Sequence, residues 1–246
     1  MSKIKLPLVL SFLLALTACG GGGGGGGGTS TPVANSDPQG FWGGTSSAGF
    51  DQAAVILETG ELYNIFSRGG IAYGIDYGTL TVSGTTFSGS LSEFYIPTNQ
   101  VFVGTTTGTF TPKSVIAGSV SFPAGTGTFS GTYGTAYDTP ATQAALTGNY
   151  VGNYYTGAPV TMAISSTGAV LGTSTNCSFS GTATPRPSGK NVYNVSLTFT
   201  GTQCAPGAGA ASGIAVLNIV GGTTYLYTAG LNTGKTNGFF WIGRKS

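Results

Sequence analysis

The chain contains no histidine in 246 residues. That removes the usual general base near neutral pH, the Ser-His-Asp arrangement and most transition-metal sites in one step. What remains for chemistry is a small set of carboxylates. All seven, Asp37, Asp51, Glu58, Glu61, Asp76, Glu93 and Asp138, precede residue 139. Paired-acid work such as glycoside hydrolysis could therefore only be housed in the first half of the chain, from Asp51, Glu58, Glu61, Asp76 or Glu93. Glu58 and Glu61 flank a Thr59-Gly60 turn, where a solvated charge is the ordinary expectation, and no catalytic residue is assigned. Arg68 before Gly69-Gly70, and Tyr73 with Tyr77, could line a pocket, although a core or rim place is expected. Cys177 and Cys204 cannot complete a zinc shell without histidine or any acid after residue 138, so no metal or cofactor is expected. Gly20 to Gly28 matches G-x-G-x-x-G trivially, but it follows no strand and opens no helix, so it is not read as a phosphate loop.

These residues must be positioned by strands. From Asp37 onward the chain is rich in Gly, Thr, Ser, Tyr, Val and Phe, poor in Leu, Lys and Glu, and shows no sustained helical period. Short alternating runs recur every 8 to 12 residues between glycine turns, which predicts an all-β protein of antiparallel sheets. Over Asn191 to Phe199, Tyr193, Val195, Leu197 and Phe199 share one face while Asn194, Ser196 and Thr198 share the other, as in a strand wet on one side. Val160, Met162 and Ile164 alternate likewise before a hairpin turn at Thr167-Gly168. Ile214 to Val220, Tyr225 to Ala229 and Phe239 to Ile242 are apolar on both faces, so either something packs on both sides or these strands face a partner, as an assembly factor would.

The text also repeats. Gly40-Phe41-Trp42-Gly43-Gly44 matches Gly148-Asn149-Tyr150-Val151-Gly152 at an offset of 108. Thr59-Gly60 matches Thr167-Gly168 at the same offset, and Phe87-Ser88-Gly89 and Phe179-Ser180-Gly181 follow at a shorter one. Two related β modules are expected, 37–138 and 139–246. The second cuts into about eight strands at its glycine turns, enough to close an up-and-down barrel around its own side chains or one ligand.

The start of the chain bears on location. Lys3 and Lys5 precede an apolar run from Leu6 to Ala18, which has the layout of a signal peptide. At about 20 Å as a helix it is too short for a hydrocarbon core about 30 Å thick. Its end, Leu16-Thr17-Ala18-Cys19, resembles the lipobox of bacterial lipoproteins. The resemblance implies cleavage after residue 18, two or three acyl chains on Cys19 and stable anchoring to a membrane. Gly20, where an aspartate would imply inner-membrane retention, points to the outer membrane. Residues 19–36 are expected to form a flexible Gly-rich tether with a reach of roughly 22 Å.

Export carries a further implication for the remaining cysteines: in an oxidising compartment Cys177 and Cys204 are expected to form one disulfide. The second module broadly resembles the lipocalin and avidin type of small barrel. The whole chain looks like a widespread class of proteobacterial lipoproteins with a polyglycine tether, in which a Cys-x-Phe-x-Gly-Thr segment, here Cys177 to Thr182, marks the C-terminal module. That resemblance supplies no activity. A transmembrane barrel is the rival topology, but the anchor would be redundant and the chain ends Arg244-Lys245-Ser246 without a terminal aromatic.

Charge is unevenly divided. Residues 19–138 hold seven acids against Arg68 and Lys113, a net of −5, while residues 139–246 hold Arg186, Lys190, Lys235, Arg244 and Lys245, a net of +5. The asymmetry could draw the halves together or reflect drift in a charge-poor surface. Five scattered positive charges with no interleaved aromatic run do not make a nucleic-acid site. Three classes of function stand. A non-catalytic binding lipoprotein for a partner protein, glycan or hydrophobic ligand requires an accessible, aromatic-lined cavity. An envelope structural or assembly factor requires a large exposed apolar patch. A carboxylate-dependent hydrolase of an envelope polymer requires two acids converging in one cleft of the first module.

Overall fold

The computed structural model describes residues 37–246 apart from residue 155. The expected signal segment 1–18, the expected lipidation of Cys19 and the expected tether 19–36 lie outside the described residues. The described chain is all-β and folds as two closed antiparallel barrels of eight strands each. The first comprises β1 (Gly40–Ser46), β2 (Asp51–Ile56), β3 (Glu61–Arg68), β4 (Ile71–Ser83), β5 (Thr86–Tyr95), β6 (Gln100–Thr111), β7 (Val115–Phe122) and β8 (Gly125–Tyr133). The second comprises β9 (Gly148–Asn153), β10 (Pro159–Ile164), β11 (Ala169–Ser174), β12 (Cys177–Pro185), β13 (Tyr193–Gly201), β14 (Gly209–Val220), β15 (Thr223–Asn232) and β16 (Gly238–Lys245). Each strand pairs with its chain neighbours, and β8 closes on β1 as β16 closes on β9. Closure leaves neither sheet with an open edge.

The repeat is structural at two of its three matches. Gly40 and Gly148 open the first strand of each barrel, and the two ring residues that follow, Trp42 and Tyr150, are both buried. Each reaches back four residues, Trp42 Nε1 donating to the Pro38 carbonyl at 2.9 Å and Tyr150 Oη to the Leu146 carbonyl at 2.6 Å. Gly60 and Gly168 both take positive φ, at +80° and +86°, which is why glycine stands at each hairpin. Each glycine carbonyl then accepts from a later strand at 2.8 Å, from Leu80 in β4 and from Ala183 in β12. The third match does not hold in space: Phe87 lies on the fifth strand of its barrel and Phe179 on the fourth of its own. Chance agreement in a Gly- and Ser-rich text accounts for it.

The two-faced apolar strands find their second partner inside the molecule. Along β14 to β16, Ala215, Leu217, Leu226, Phe239 and Trp241 point into the second barrel. Ile214, Val216, Ala229, Leu231 and Phe240 point outward and pack against Val55, Tyr63, Ile65, Ile75 and Phe94 of the first. The connecting segment is locked to this seam: Tyr137, in a 3₁₀ turn at Thr135–Asp138, is fully buried there. Asn191 donates to the Ala136 and Leu217 carbonyls at 3.1 and 2.7 Å. Opposite charges also meet across it, Arg186 with Glu58 at 2.8 Å and Lys190 with Asp138 at 2.8 Å. At partly exposed pairs each is worth no more than about 1 kcal/mol, so the apolar seam carries the docking.

Outward side chains away from the seam are mostly polar, such as Thr105, Thr107 and Thr109 on β6 and Asn194, Ser196 and Thr198 on β13, with apolar ones such as Val103 and Leu171 set among them. A membrane-spanning barrel needs the reverse, an apolar outer band. Cys177 and Cys204 form a disulfide, with Sγ–Sγ 2.06 Å, that ties β12 to the β13–β14 loop.

Two stability predictions follow from this architecture. Replacing both cysteines by alanine releases a crosslink spanning 27 residues, and chain-entropy reasoning puts the loss at about 3.6 kcal/mol in urea unfolding. Phe240→Ala removes a ring from the seam and costs about 3–5 kcal/mol. In a Trp241→Phe background, where Trp42 of the first barrel is the sole tryptophan, the Trp42 transition should shift with it. An unmoved Trp42 transition would mean that the barrels fold independently.

Candidate functional site

Strand alternation puts two different faces on the wall formed by β3, β4 and β5. Tyr63, Ile65, Ile75, Tyr77 and Phe94 face the seam, so Asn64, Asp76 and Glu93 between them face the lumen. The three stand in one row, Asn64 opposite Asp76 and Asp76 opposite Glu93. Gln52 on β2 extends the row, and the Asn64 amide donates both to Gln52 Oε1 and to Asp76 Oδ2, the latter at 2.8 Å.

The lumen is hollow, with a cavity of about 500 Å³. Its floor is Trp42, Ile56, Leu80, Phe87 and Ile116, part of one buried cluster. The opposite end is bounded by the β1–β2, β5–β6 and β7–β8 turns, through Ser46 to Ala48, Thr98 and Ala124 to Thr126. Aromatic rings line that mouth: Phe50 and Phe66 meet edge to face at 5.4 Å, and Phe66 stacks on Tyr95 at 6.1 Å. Rings that would otherwise cross the lumen lie along the wall. Phe66 covers Gly74, its cross-strand partner, and Phe87 covers Gly108, where an added Cβ would collide with the ring.

The same hairpin in the second barrel shows what fills a lumen. At the offset of 108, Gln52 and Ala54 correspond to Val160 and Met162, and Asn64 to Gly172. Both sets sit in matching registers, Ala54 opposite Asn64 and Met162 opposite Gly172. There Val160 and Met162 join Phe179, Leu197, Phe199 and Leu226 in a packed core.

Electrostatically the row is unbalanced. Asp76 and Asn64 are each 8% exposed, and no Lys or Arg lines the cavity. Burial drives the Asp76 carboxyl up, the neighbouring Glu93 charge drives it further, and the Asn64 hydrogen bond only partly offsets them, leaving it at about 7. Burial likewise raises Glu93, which the hydrogen bond from Asp76 partly relieves. Burial and the mutual proximity of the two carboxyls oppose ionising both together. No protein donor reaches Asp76 Oδ1 or Asn64 Oδ1.

The other singled-out residues are elsewhere. Glu58 pairs with Arg186 in the seam, and Glu61 accepts from Thr59 and from the Tyr77 hydroxyl, each at 3.1 Å. Asp51 is exposed at the start of β2. Arg68 stands at the rim, donating to the Ala48 and Gly49 carbonyls with its guanidinium 4.5 Å from the Phe50 ring centre. Tyr73 packs near Phe50 at the same rim, 5.4 Å between ring centres, while Tyr77 faces the second barrel and accepts from Lys235 at 2.9 Å. Sequence reasoning named Asp76 and Glu93 among five acids without pairing them, and it missed Gln52 and Asn64. Their signal was polar side chains at apolar-phase positions of strands. Among the described residues no three His, Cys, Asp or Glu cluster as a metal site. No protein-family model and no curated protein sequence matches the chain.

The acid pair fixes a pH dependence whose sign can be worked out. Between the ordinary carboxylate value near 3.8 and about 7, the folded chain holds the Asp76 proton more tightly than the unfolded chain does. Stability therefore falls as pH rises through that window, by at most about 1.4 kcal/mol per unit per proton. Asp138 acts oppositely: hydrogen bonds from Lys190 and then Lys113, working against partial burial, hold it down at about 2, so its contribution is present above 4 and lost below. With no histidine to titrate alongside, the urea midpoint should be higher at pH 5 than at pH 7.5, and the difference should shrink in Asp76→Asn. A higher midpoint at pH 7.5 in the unmodified protein would refute the assignment.

Proposed function

We propose that the first barrel is a binding calyx, carried by an exported lipoprotein that is anchored to the outer membrane through acyl chains on Cys19, and that the second barrel supports it. The observation that carries this reading is the open, aromatic-lined lumen with two buried acceptors that the protein leaves without donors. Ligand sites in small barrels have this form: an apolar concavity of a few hundred cubic ångströms with a few convergent polar groups.

The competing readings are less well supported. An assembly factor needs a large exposed apolar patch, and the two-faced strands that suggested one are covered by the other barrel except at Ile219 and Val220. The large exposed apolar side chains are spread over Val101, Val103, Val115, Leu171, Ile219 and Val220 on four strands. A hydrolase gains one feature, since two acids do converge in the first barrel. Glycosidic cleavage, however, needs carboxyls at least about 5 Å apart on opposite sides of the substrate. Asp76 and Glu93 are cross-strand neighbours on one wall. Their arrangement suits gripping a group more than cleaving a bond, and the protein is read as non-catalytic.

The test is occupancy of the lumen. The neutral fluorophore N-phenylnaphthylamine should brighten on titration into the purified protein. Ala54→Trp, which sends a ring into the cavity where the second barrel carries Met162, should weaken that binding at least ten-fold while the circular dichroism spectrum is unchanged. Equal binding by the folded variant would remove the lumen as the site.

A further inference from the structure

Resting on the calyx reading, we propose that the ligand is an amphiphilic primary amine, its ammonium held by Asp76, Glu93 and Asn64 and its chain directed to the floor. On the acidic wall of the lumen two side-chain acceptors go unmet. Asn64 uses its amide hydrogens on Gln52 and Asp76, which leaves its own Oδ1 and Asp76 Oδ1 buried with no protein partner. Both residues are more than nine-tenths buried, where an unmet acceptor is costly. The wall is acidic with no facing cation. A visiting group must therefore bring donors and positive charge. An ammonium brings three donors and no acceptor.

The alternatives fit less well. A carboxylate ligand would add a like charge, and an alcohol brings one donor and no charge. A bare calcium ion needs six to eight oxygens, and of the six side-chain oxygens in this row Gln52 Oε1 and Asp76 Oδ2 already accept from Asn64. Below the row the lining is apolar down to Trp42, Leu80 and Phe87 apart from Thr106, whose hydroxyl is spent on the Ser119 carbonyl, which matches a hydrocarbon tail. The volume of about 500 Å³ lies within the range for small organic ligands.

Protons compete with the ammonium for the same pair, and no other group near it interferes. The remaining titratable residue of the lining is Tyr95. Arg68 at the rim is turned onto Phe50 and two carbonyls. On the far face of the wall, Lys235 and Glu61 are engaged by the Tyr77 hydroxyl, and Arg186 by Glu58. Amine affinity should therefore rise as pH climbs through about 7, where Asp76 loses its proton.

The experiment is displacement of N-phenylnaphthylamine by decylamine, 1-decanol and decanoate at pH 7.5. Decylamine should compete at least ten-fold more strongly than decanol, and decanoate most weakly. Its affinity should fall at least ten-fold at pH 5 while that of decanol holds. In Asp76→Asn/Glu93→Gln the amine preference should vanish, with decanol within three-fold of its original affinity as the check on folding. If that variant does not fold, the pH series on the unmodified protein decides. Equal competition by the three chains, a pH-independent amine, or a preference that survives the double substitution overturns the amine assignment and leaves the calyx reading standing. Failure of the fluorophore itself to bind the lumen overturns both.

Discussion

The constraint on which the rest of the structure turns is that one wall of the first barrel is buried on both faces. Along β4, Ile75 and Tyr77 enter the seam with the second barrel while Asp76 between them enters the lumen. In a free-standing barrel the outer face of this wall would be hydrated, and water close behind it would soften the field around the acids. Docking the second barrel replaces that water with Ile214, Val216, Ala229, Leu231 and Phe240. The low-polarity surroundings raise Asp76 and Glu93 and strengthen any interaction made with them. The second barrel thus shapes the chemistry of the first without contributing a side chain to its cavity lining.

The two barrels share strand number, closure and hairpin geometry, yet one is hollow and the other is filled. Aromatic size does not separate them, since both lay rings over cross-strand glycines: Phe66 on Gly74 and Phe87 on Gly108 in the first, Phe179 on Gly172 and Phe239 on Gly230 in the second. That pairing fills the notch a glycine leaves and keeps the ring against the wall. What differs is the rest of the inward set. Met162, Leu197, Leu217 and Leu226 belong to one buried cluster in the second barrel, whereas the shorter Ala54, Asn64 and Thr106 line a cavity in the first. A small barrel has room for its own side chains or for one ligand, and the length of a few inward residues decides which.

The fold was legible because its signals are local. Strict alternation over Tyr193 to Phe199, glycine turns at regular spacing, and the Gly60 and Gly168 hairpins each act within a few residues. The two-faced runs at Ile214, Tyr225 and Phe239 correctly announced a second packing partner, although nothing in them identified it as the first barrel. The opposed charges of the halves were weak evidence and proved to be a minor part of the seam. The candidate site was far less legible. Asn64, Asp76 and Glu93 are 12 and 17 residues apart along the chain and become neighbours only through the registers of β3, β4 and β5. Those registers are set by hairpins whose lengths the sequence does not state plainly. The Phe-Ser-Gly match misled for the same reason: identity of letters carried no information about which strand they occupied.

The second barrel also serves as an internal control for the meaning of the polar row. The same hairpin, in the same register, closes a stable-looking core with Val160, Met162 and Gly172 where the first barrel has Gln52, Ala54 and Asn64. The fold therefore has no need of the polar set. Buried acids without a cation and acceptors without donors lower stability, and apolar residues of matching volume would raise it. A destabilising cluster on a scaffold whose other copy does without it is where a functional constraint is expected to overrule packing. That the cluster lies between an apolar floor and an aromatic mouth, at the depth where a bound molecule would place its polar end, is what supports reading this packing anomaly as the proposed recognition site.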